Sequence, residues 1–261
     1  MSVLQKIVEH KKKQIALAKQ EVSLWELQGK LLEMKTPAKN FKSSISVPKD
    51  KLHVIAEIKK ASPSAGLIID NYNPARIARL YQTHRVNAIS VLTEEKYFQG
   101  DLYHISLVKQ VTTLPVLRKD FIIDEYQIYE SRLEGADAIL LIAGLLFKSE
   151  IQKFLDIAKE IGLQCLVEVH NEAELNKVLD TSADIIGINN RNLSTLKVDL
   201  KTTVELRPKV PRDKVVVSES GIRSKEDIKL LKDLKVNAIL IGHYLLEQRD
   251  TMGKALKELL T

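Results

Sequence analysis

The 261-residue sequence predicts an α/β fold: a (β/α)8 barrel of the TIM type, preceded by an N-terminal helical extension. Three observations lead there. From residue 53 onward, a short apolar, β-branched run followed by a helical segment recurs eight times, within the roughly 200 residues that such a barrel needs. The runs are continuously hydrophobic rather than alternating, as expected of parallel strands covered by helices. Charged and polar residues gather at the C-terminal end of each run, where barrels of this kind place their chemistry. An open doubly wound sheet would require a Gly-x-Gly-x-x-Gly turn after its first strand, and none is present.

Residues 1–50 hold a helix and then a looser piece, EMKTPAKNFKSSISVPKDK, which runs on to residue 51. The segment is too small to bury much core alone. It is expected to be an extension packed on a catalytic barrel of residues 51–261. The first helix carries Val3, Leu4, Ile7, Val8, Ile15, Leu17 and Ala18 at helical spacing. Its Lys11-Lys12-Lys13 run reads as a solvated face. The strand candidates are HVIAEIK, NAISVLTE, PVLRKDF, DAILLIA, QCLVEVH, DIIGINN, KVVVSES and NAILIG, beginning at residues 53, 87, 115, 137, 164, 184, 214 and 237. Helices fill the gaps. NPARIARLYQTH has Asn73 as N-cap and Pro74 at the first helical position. DEYQIYESRLEG starts at Asp124 and stops near Gly135, and SEIQKFLDIAKEIG runs from Ser149 to just before Gly162. NEAELNKVL starts at Asn171, and SKEDIKLLKDL opens on Ser224 with Asp227 three residues on, a variant of the capping box.

The net charge of +6 and pI near 9.1 favour anionic partners. No apolar run approaches the roughly 18 residues of a membrane span. The N-terminus lacks the apolar core and small-residue cleavage site of a signal peptide. Cytoplasm is therefore the expected compartment, with no membrane and no nucleic-acid partner. The single cysteine, Cys165, lies in the apolar run LQCLVEV and reads as a small buried hydrophobe. The six histidines show no His-Glu-x-x-His spacing, so no metal site is expected.

The strand ends carry a cluster of reactive groups. Strand one gives Glu57, Lys59 and then Ser62; strand two gives Thr93-Glu94-Glu95-Lys96; strand three gives Arg118, Lys119 and Asp120. Strand five gives Glu168 and His170; strand six gives Asn189, Asn190 and Arg191. Strand seven gives Ser218, Glu219, Ser220 and Gly221, and strand eight gives Gly242 and His243. Residues i and i+2 of a strand share a face, so Glu57 and Lys59 stand side by side. Burying such charges costs several kcal/mol (roughly), which a shared substrate would justify. By the same parity Arg118 and Asp120 face the helices, away from Lys119. Glu219 has the opposite parity from Ser218 and Ser220, and parity taken from those serines turns it away from the site. His170 reads as a structural strand-end histidine. The glycine-bearing ends SESGI and LIG suggest a phosphate seat of backbone N–H groups.

The pieces AEIKKASPSAG, SVLTEEKYFQG, LRKDFIID, LVEVHNEAEL, IGINNRNL and SESGI resemble, in order and spacing, the indole-3-glycerol-phosphate synthase family. The resemblance covers most of residues 53–242, and Thr36-Pro37 with Phe41 extends it into the N-terminal segment. It implies a small anionic phosphorylated substrate, 1-(2-carboxyphenylamino)-1-deoxyribulose 5-phosphate, closed to indole-3-glycerol phosphate with loss of CO2 and water. No metal or organic cofactor is implied. The resemblance makes Lys119 the acid at the ketone oxygen and Lys59 the second lysine, which can hold the carboxylate and serve as acid in dehydration. It makes Glu168 the base, and Glu57 and Asn189 groups that orient the lysines and the substrate hydroxyls. Phe98 and Phe121 match aromatics near the anthranilate ring, while Ser62, Arg191 and Glu219 line the site. Ser220, Gly221 and Gly242 match the phosphate seat. The sequence departs from the family after Gly242, where small residues, often including serine, are usual; here His243 and Tyr244 add bulk, and His243 is expected at the phosphate. Taken on their residues alone, Lys59 and Lys119 would also suit a Schiff-base aldolase.

Overall fold

Each of the eight strand candidates is apolar on both faces, so each has to be buried twice, against helices outside and against other strands inside. A closed barrel meets both demands. The computed structural model describes residues 3–48, 51–192, 195–247 and 252–260. Its strands are β1 (His53–Ile58), β2 (Ala88–Leu92), β3 (Val116–Lys119), β4 (Ala138–Ile142), β5 (Gln164–Val169), β6 (Ile185–Asn189), β7 (Val215–Glu219) and β8 (Ala238–Ile241). Each pairs in parallel with the next, and β8 pairs with β1 to close the barrel. Ile55 of β1 thus lies beside Ala88 on one side and Leu240 on the other.

The expected helices form at Pro74–Thr83, Tyr126–Leu133, Lys148–Glu160, Glu172–Leu179 and Lys225–Asp233. Their starts follow the capping chemistry: the Asn73 side chain accepts from Arg76 N, that of Asn171 from Glu174 N, and Ser224 and Asp227 cap each other reciprocally. The helices Glu95–Phe98, His104–Lys109 and Lys201–Leu206 are too short to show helical periodicity and were not legible in the sequence. After β1 the chain makes a small hairpin, with Ala61–Ser62 paired to Gly66–Leu67. No helix among the described residues is long and apolar enough to cross a membrane.

Strand parity divides the core in two. Residues such as Ala56, Val91, Val167, Ile188 and Val216 pack under the helices. Cys165 belongs to this outer layer, and burial pushes its thiol pKa up. Residues such as Ile55, Leu117, Leu140, Leu166, Val217 and Leu240 fill the interior. At the first turn of three strands the inward residue is only alanine: Ala88, Ala138 and Ala238. Phe41 and Ile45, fully buried at the short helix Phe41–Ser44, join that interior cluster. Hydrogen bonds to the N-terminal ends of the strands hold them there: Lys39 N donates to Asp137 Oδ1 (2.7 Å) and Lys42 N to Gln164 Oε1 (2.8 Å).

The first helix, Val3–Glu21, works at the opposite end of the barrel. Ile7 packs with Phe121 and Ile142 in the interior cluster. Lys11 corrects the sequence expectation: it is buried, and its Nζ lies 3.0 Å from Asp120 Oδ1, at the end of β3. Ile7, Lys11 and Ile15 are spaced i, i+4, i+8, so Lys11 belongs to the inward stripe, while Lys12 stays exposed beside Glu9. The second helix, Leu24–Leu32, packs Leu27 with Tyr126 and Tyr129 of the Tyr126–Leu133 helix.

Phe41→Ala is expected to destabilise the fold by about 3–5 kcal/mol, the usual cost of emptying a fully buried phenylalanine site. Chemical denaturation of the purified proteins measures it. A loss below about 1 kcal/mol, far under that range, would show that the aromatic ring does not fill the barrel floor.

Candidate active site

The inward parity of the interior layers continues to the C-terminal ends of the strands, where apolar residues give way to polar ones. Glu57 and Lys59 continue from Ile55, Lys119 from Leu117, Glu168 from Leu166, Asn189 from Ile185 and Gly187, and Glu219 from Val215 and Val217. These side chains border a cavity of about 420 Å³. Ser62, Phe98, Phe121, Arg191, Ser220, Gly221 and Gly242 line it too. Of the residues that the resemblance assigned to the site, His243 is the one not placed there: it opens the helix His243–Glu247, but its side chain lies outside the described part of the structure. Arg118, His170, Asn190 and Ser218, also named at the strand ends, do not line the cavity.

Two ion-pair groups dominate the cavity floor. Lys59 Nζ donates to Glu57 Oε1 at 2.5 Å, and the Glu57 carbonyl accepts from the buried Tyr81 hydroxyl at 2.9 Å. Glu57 also packs on the backbone of Gly242, where an added Cβ would lie 2.7 Å from the glutamate's own Cβ. Gly242 is thus required by close approach, whatever its part in binding phosphate. In the second group, Lys119 Nζ donates to Glu168 Oε2 (3.0 Å) and lies 3.2 Å from Glu219 Oε2. The latter contact has ion-pair distance without hydrogen-bond alignment, and neither Glu219 oxygen has a hydrogen-bond partner among the described residues. Gly187, in mid-strand β6, makes room for this carboxylate: a Cβ there would collide with Glu219 Oε1.

The electrostatics follow from that crowding. Burial works to lower the pKa of Lys119, but the charges of Glu168, Glu219 and Glu57 outweigh it and hold the ammonium charged. Burial works to raise Glu168, but Lys119 and His170 overcome it and keep the carboxylate well below its usual range. For Glu219 burial wins: Lys119 pulls back, but the neighbouring Glu168 charge adds to the rise, and the net shift is upward. Of the two carboxyls sharing Lys119, Glu168 is the ionised one and Glu219 the one that takes up a proton first.

The orientation of Glu219 corrects the parity argument built on the serines. Ser218 faces the helices, where its Oγ accepts from Asn190 Nδ2 (3.0 Å) and lies 2.8 Å from Thr203 Oγ1. The inward reference on β7 was Val215 and Val217. Ser220 lies past the strand at φ 68°, and its carbonyl accepts from Asn190 Nδ2 at 3.1 Å. Asn190 is therefore a tie between strand ends, while Asn189 Oδ1 accepts from Arg191 N (2.9 Å) at the cavity wall. Arg118 faces the helices as expected, whereas Asp120, though its Oδ2 accepts from Thr93 and Arg118, also borders the cavity. Arg118 reaches Glu130 and Asp120, and Asp120 sits at about 2 because Lys11 and Arg118 outweigh the effect of its burial. Glu94 caps the helix Glu95–Phe98, accepting from Lys96, Tyr97 and Phe98 N. It thereby fixes Phe98, whose ring centroid is 6.3 Å from that of Phe121.

Some lining residues were missed from the sequence. Val3, Leu4 and Ile7 of the first helix form part of the wall. Their helical periodicity marked a buried face but not what it would face. Arg223 also lines the cavity, two residues beyond the SESG turn, and its position after that turn was a usable signal.

The model of the indole-3-glycerol phosphate synthase family matches residues 4–259. An indole-3-glycerol phosphate synthase of Alkaliphilus metalliredigens is 49% identical over 257 residues, covering 98% of this chain and 97% of its own. That of Acetivibrio thermocellus is 47% identical over 256 residues, covering 97% of each. Among solved structures, a mutant tryptophan synthase α-subunit of Pyrococcus furiosus superposes with a TM-score of 0.60 at 14% identity, over 81% of this chain and 98% of its own. The 3-hexulose-6-phosphate synthase of Salmonella typhimurium does so with 0.62 at 15% identity, over 80% and 96%. The structural likeness shows the barrel fold alone. The family match and the near-half identity run almost from end to end, and by them the chain belongs to the indole-3-glycerol phosphate synthase family.

Proposed function

We propose that this chain closes 1-(2-carboxyphenylamino)-1-deoxyribulose 5-phosphate to indole-3-glycerol phosphate, releasing CO2 and water, a carbon–carbon lyase step of tryptophan biosynthesis. The observation that carries the reading is Lys119 Nζ held 3.0 Å from Glu168 Oε2 on the floor of a cavity lined by Phe98 and Phe121. Its volume, about 420 Å³, falls in the range of roughly 300–1,000 Å³ usual for small-molecule sites. In this reading residues 1–50 form an extension that serves the barrel.

The chemistry assigns the parts. The ring carbon bearing the carboxylate attacks the ketone carbon, and the carbonyl electron pair moves onto oxygen. Lys119, kept protonated by three carboxyls, gives that oxygen its proton. Lys59, oriented by Glu57, holds the substrate carboxylate until the bond to CO2 breaks and returns its electrons to the ring. Glu168 then removes a proton from the carbon beside the nitrogen while the new hydroxyl leaves as water, with Lys59 as the acid. Asn189 orients the substrate hydroxyls. Phe98 and Phe121 flank the aromatic ring. Across the barrel mouth, Ser220, Gly221 and Gly242 seat the phosphate, with Arg191 and Arg223 adding positive charge.

The rival reading, a Schiff-base aldolase, needs a neutral lysine as nucleophile. The carboxyls around Lys119 oppose that state. Borohydride added with substrate is therefore expected to leave the protein mass unchanged, and an added substrate mass on Lys59 or Lys119 would favour the aldolase.

Purified protein assayed with the carboxyphenylamino substrate, followed by indole fluorescence, tests the activity directly. Lys119→Ala is expected to lower kcat by at least about 100-fold, the scale of general-acid removal, with a smaller change in KM. A kcat near that of the unaltered protein would remove Lys119 from the mechanism. Gly187→Ala is expected to push Glu219 off its position and lower kcat by about 10- to 100-fold, the scale of an ångström-sized misplacement. Its stability cost should stay within about 1–3 kcal/mol. An unchanged kcat would show that Glu219 needs no such placement.

A further inference from the structure

His170 is absorbed by none of these steps, yet it is the other neighbour of the base. We propose that His170 is a positioning residue that, as an imidazolium, holds Glu168 Oε1 so that the carboxylate stays ionised with Oε2 on the Lys119 side of the cavity. The inference rests on the role given above to Glu168.

The geometry is a chain of three side chains. Glu168 Oε2 accepts from Lys119, and Glu168 Oε1 lies 3.2 Å from His170 Nε2. That last contact is an ion-pair approach off the N–H axis. The other ring nitrogen, Nδ1, is 3.1 Å from Glu174 Oε2, which also accepts from His170 N at 2.9 Å. Glu174 is itself fixed, since its Oε1 accepts from Asn171 Nδ2 at 2.9 Å and its N–H is capped by Asn171 Oδ1. A carboxylate oxygen thus faces each ring nitrogen. A neutral imidazole would turn a lone pair toward one of them, so the ring is doubly protonated. Burial opposes this, but the close approach of Glu168 and Glu174 to the two ring nitrogens, and their negative charges, carry the His170 pKa up to about 10.

The charged groups facing this chain are few. Glu168 shares the strand, Glu174 comes from the following helix, and Lys119 of β3 and Glu219 of β7 act through Glu168. The end of β4 contributes Ile142, Ala143 and Gly144, none of which titrates. Without His170 the one remaining cation, Lys119, would be divided between two buried carboxyls. Glu168 would then be harder to keep ionised.

The sign follows. Turnover needs ionised Glu168 and is lost as pH falls through its pKa. His170 depresses that pKa, so removing the imidazolium raises it and moves the acidic limb of kcat/KM to higher pH. The test is kcat/KM against pH, from the lowest pH at which the proteins stay folded up to 8.5, for the unaltered protein, His170→Asn and Glu174→Gln. In His170→Asn the acidic limb should rise by at least about one pH unit, tenfold in kcat/KM on the acidic side. Glu174→Gln should show a smaller shift in the same direction. A loss by one factor at every pH, with the limb unmoved, would mean a merely structural histidine and overturn the proposal. Imidazole NMR of the unaltered protein, with the His170 ring resonance assigned by through-bond correlation to its backbone, tests it without substrate. His170 should remain doubly protonated at pH 8, and a neutral ring there would overturn the proposal even if the variants fail to fold. Absence of synthase turnover in the unaltered protein would refute the function instead, and the NMR titration would still decide the charge of His170.

Discussion

Lys119 lies within ion-pair reach of both Glu168 and Glu219, and one positive charge cannot neutralise two negative ones in a buried site. Much of the surrounding structure answers that shortage. Glu219 is biased toward its protonated form, Gly187 gives it room without offering a hydrogen bond, and His170 meets the far oxygen of Glu168. Glu57 and Lys59 form a self-contained pair a few strands away, and Glu57 adds its charge to those holding Lys119 protonated. The floor of the cavity is thus a set of carboxyls with unequal proton affinities arranged around two ammonium groups. Unequal affinities are what acid–base chemistry requires of residues that are otherwise alike.

The barrel supplies the placement. Inward-facing positions are apolar through the lower and middle layers and turn polar only at the strands' C-terminal ends, so the charged groups stand on an apolar, buried base. The N-terminal helices act on both ends of that interior. Phe41 and Ile45 close the floor where three strands offer only alanine, and Ile7 contributes to the wall of the mouth. Lys11 ties the same helix to Asp120, whose chain neighbour is Lys119. A helix that precedes the barrel in sequence therefore touches the end of the strand that carries the proposed acid.

The strands were legible because burial on both faces leaves a continuous apolar run, and the long helices because their caps are chemical signals. The residues around the cavity were legible because charge at the end of a buried strand is costly without a purpose, as at Glu57, Lys59 and Lys119. Their separate roles were not readable from charge and parity, and came from resemblance. What escaped was set by distant partners or by choice of reference. Lys11 read as solvated because its partner lies 109 residues away. Glu219 was misdirected because Ser218 and Ser220 were taken as the inward pair, when Val215 and Val217 are. The short helices offered too few turns for a period to appear.

The attachment of the N-terminal helices also bears on the order in which a growing chain can assemble. Lys11 waits for Asp120, Lys39 for Asp137 and Lys42 for Gln164, separations of 109, 98 and 122 residues. None of these anchors exists when the first helices leave the ribosome, and β5 must be made before the last of them can be engaged. Contacts of such span are slow to form because a long loop has to close first. The N-terminal helices are therefore made 98 to 122 residues ahead of their anchors, and until those emerge the apolar stripe is unpartnered by the barrel.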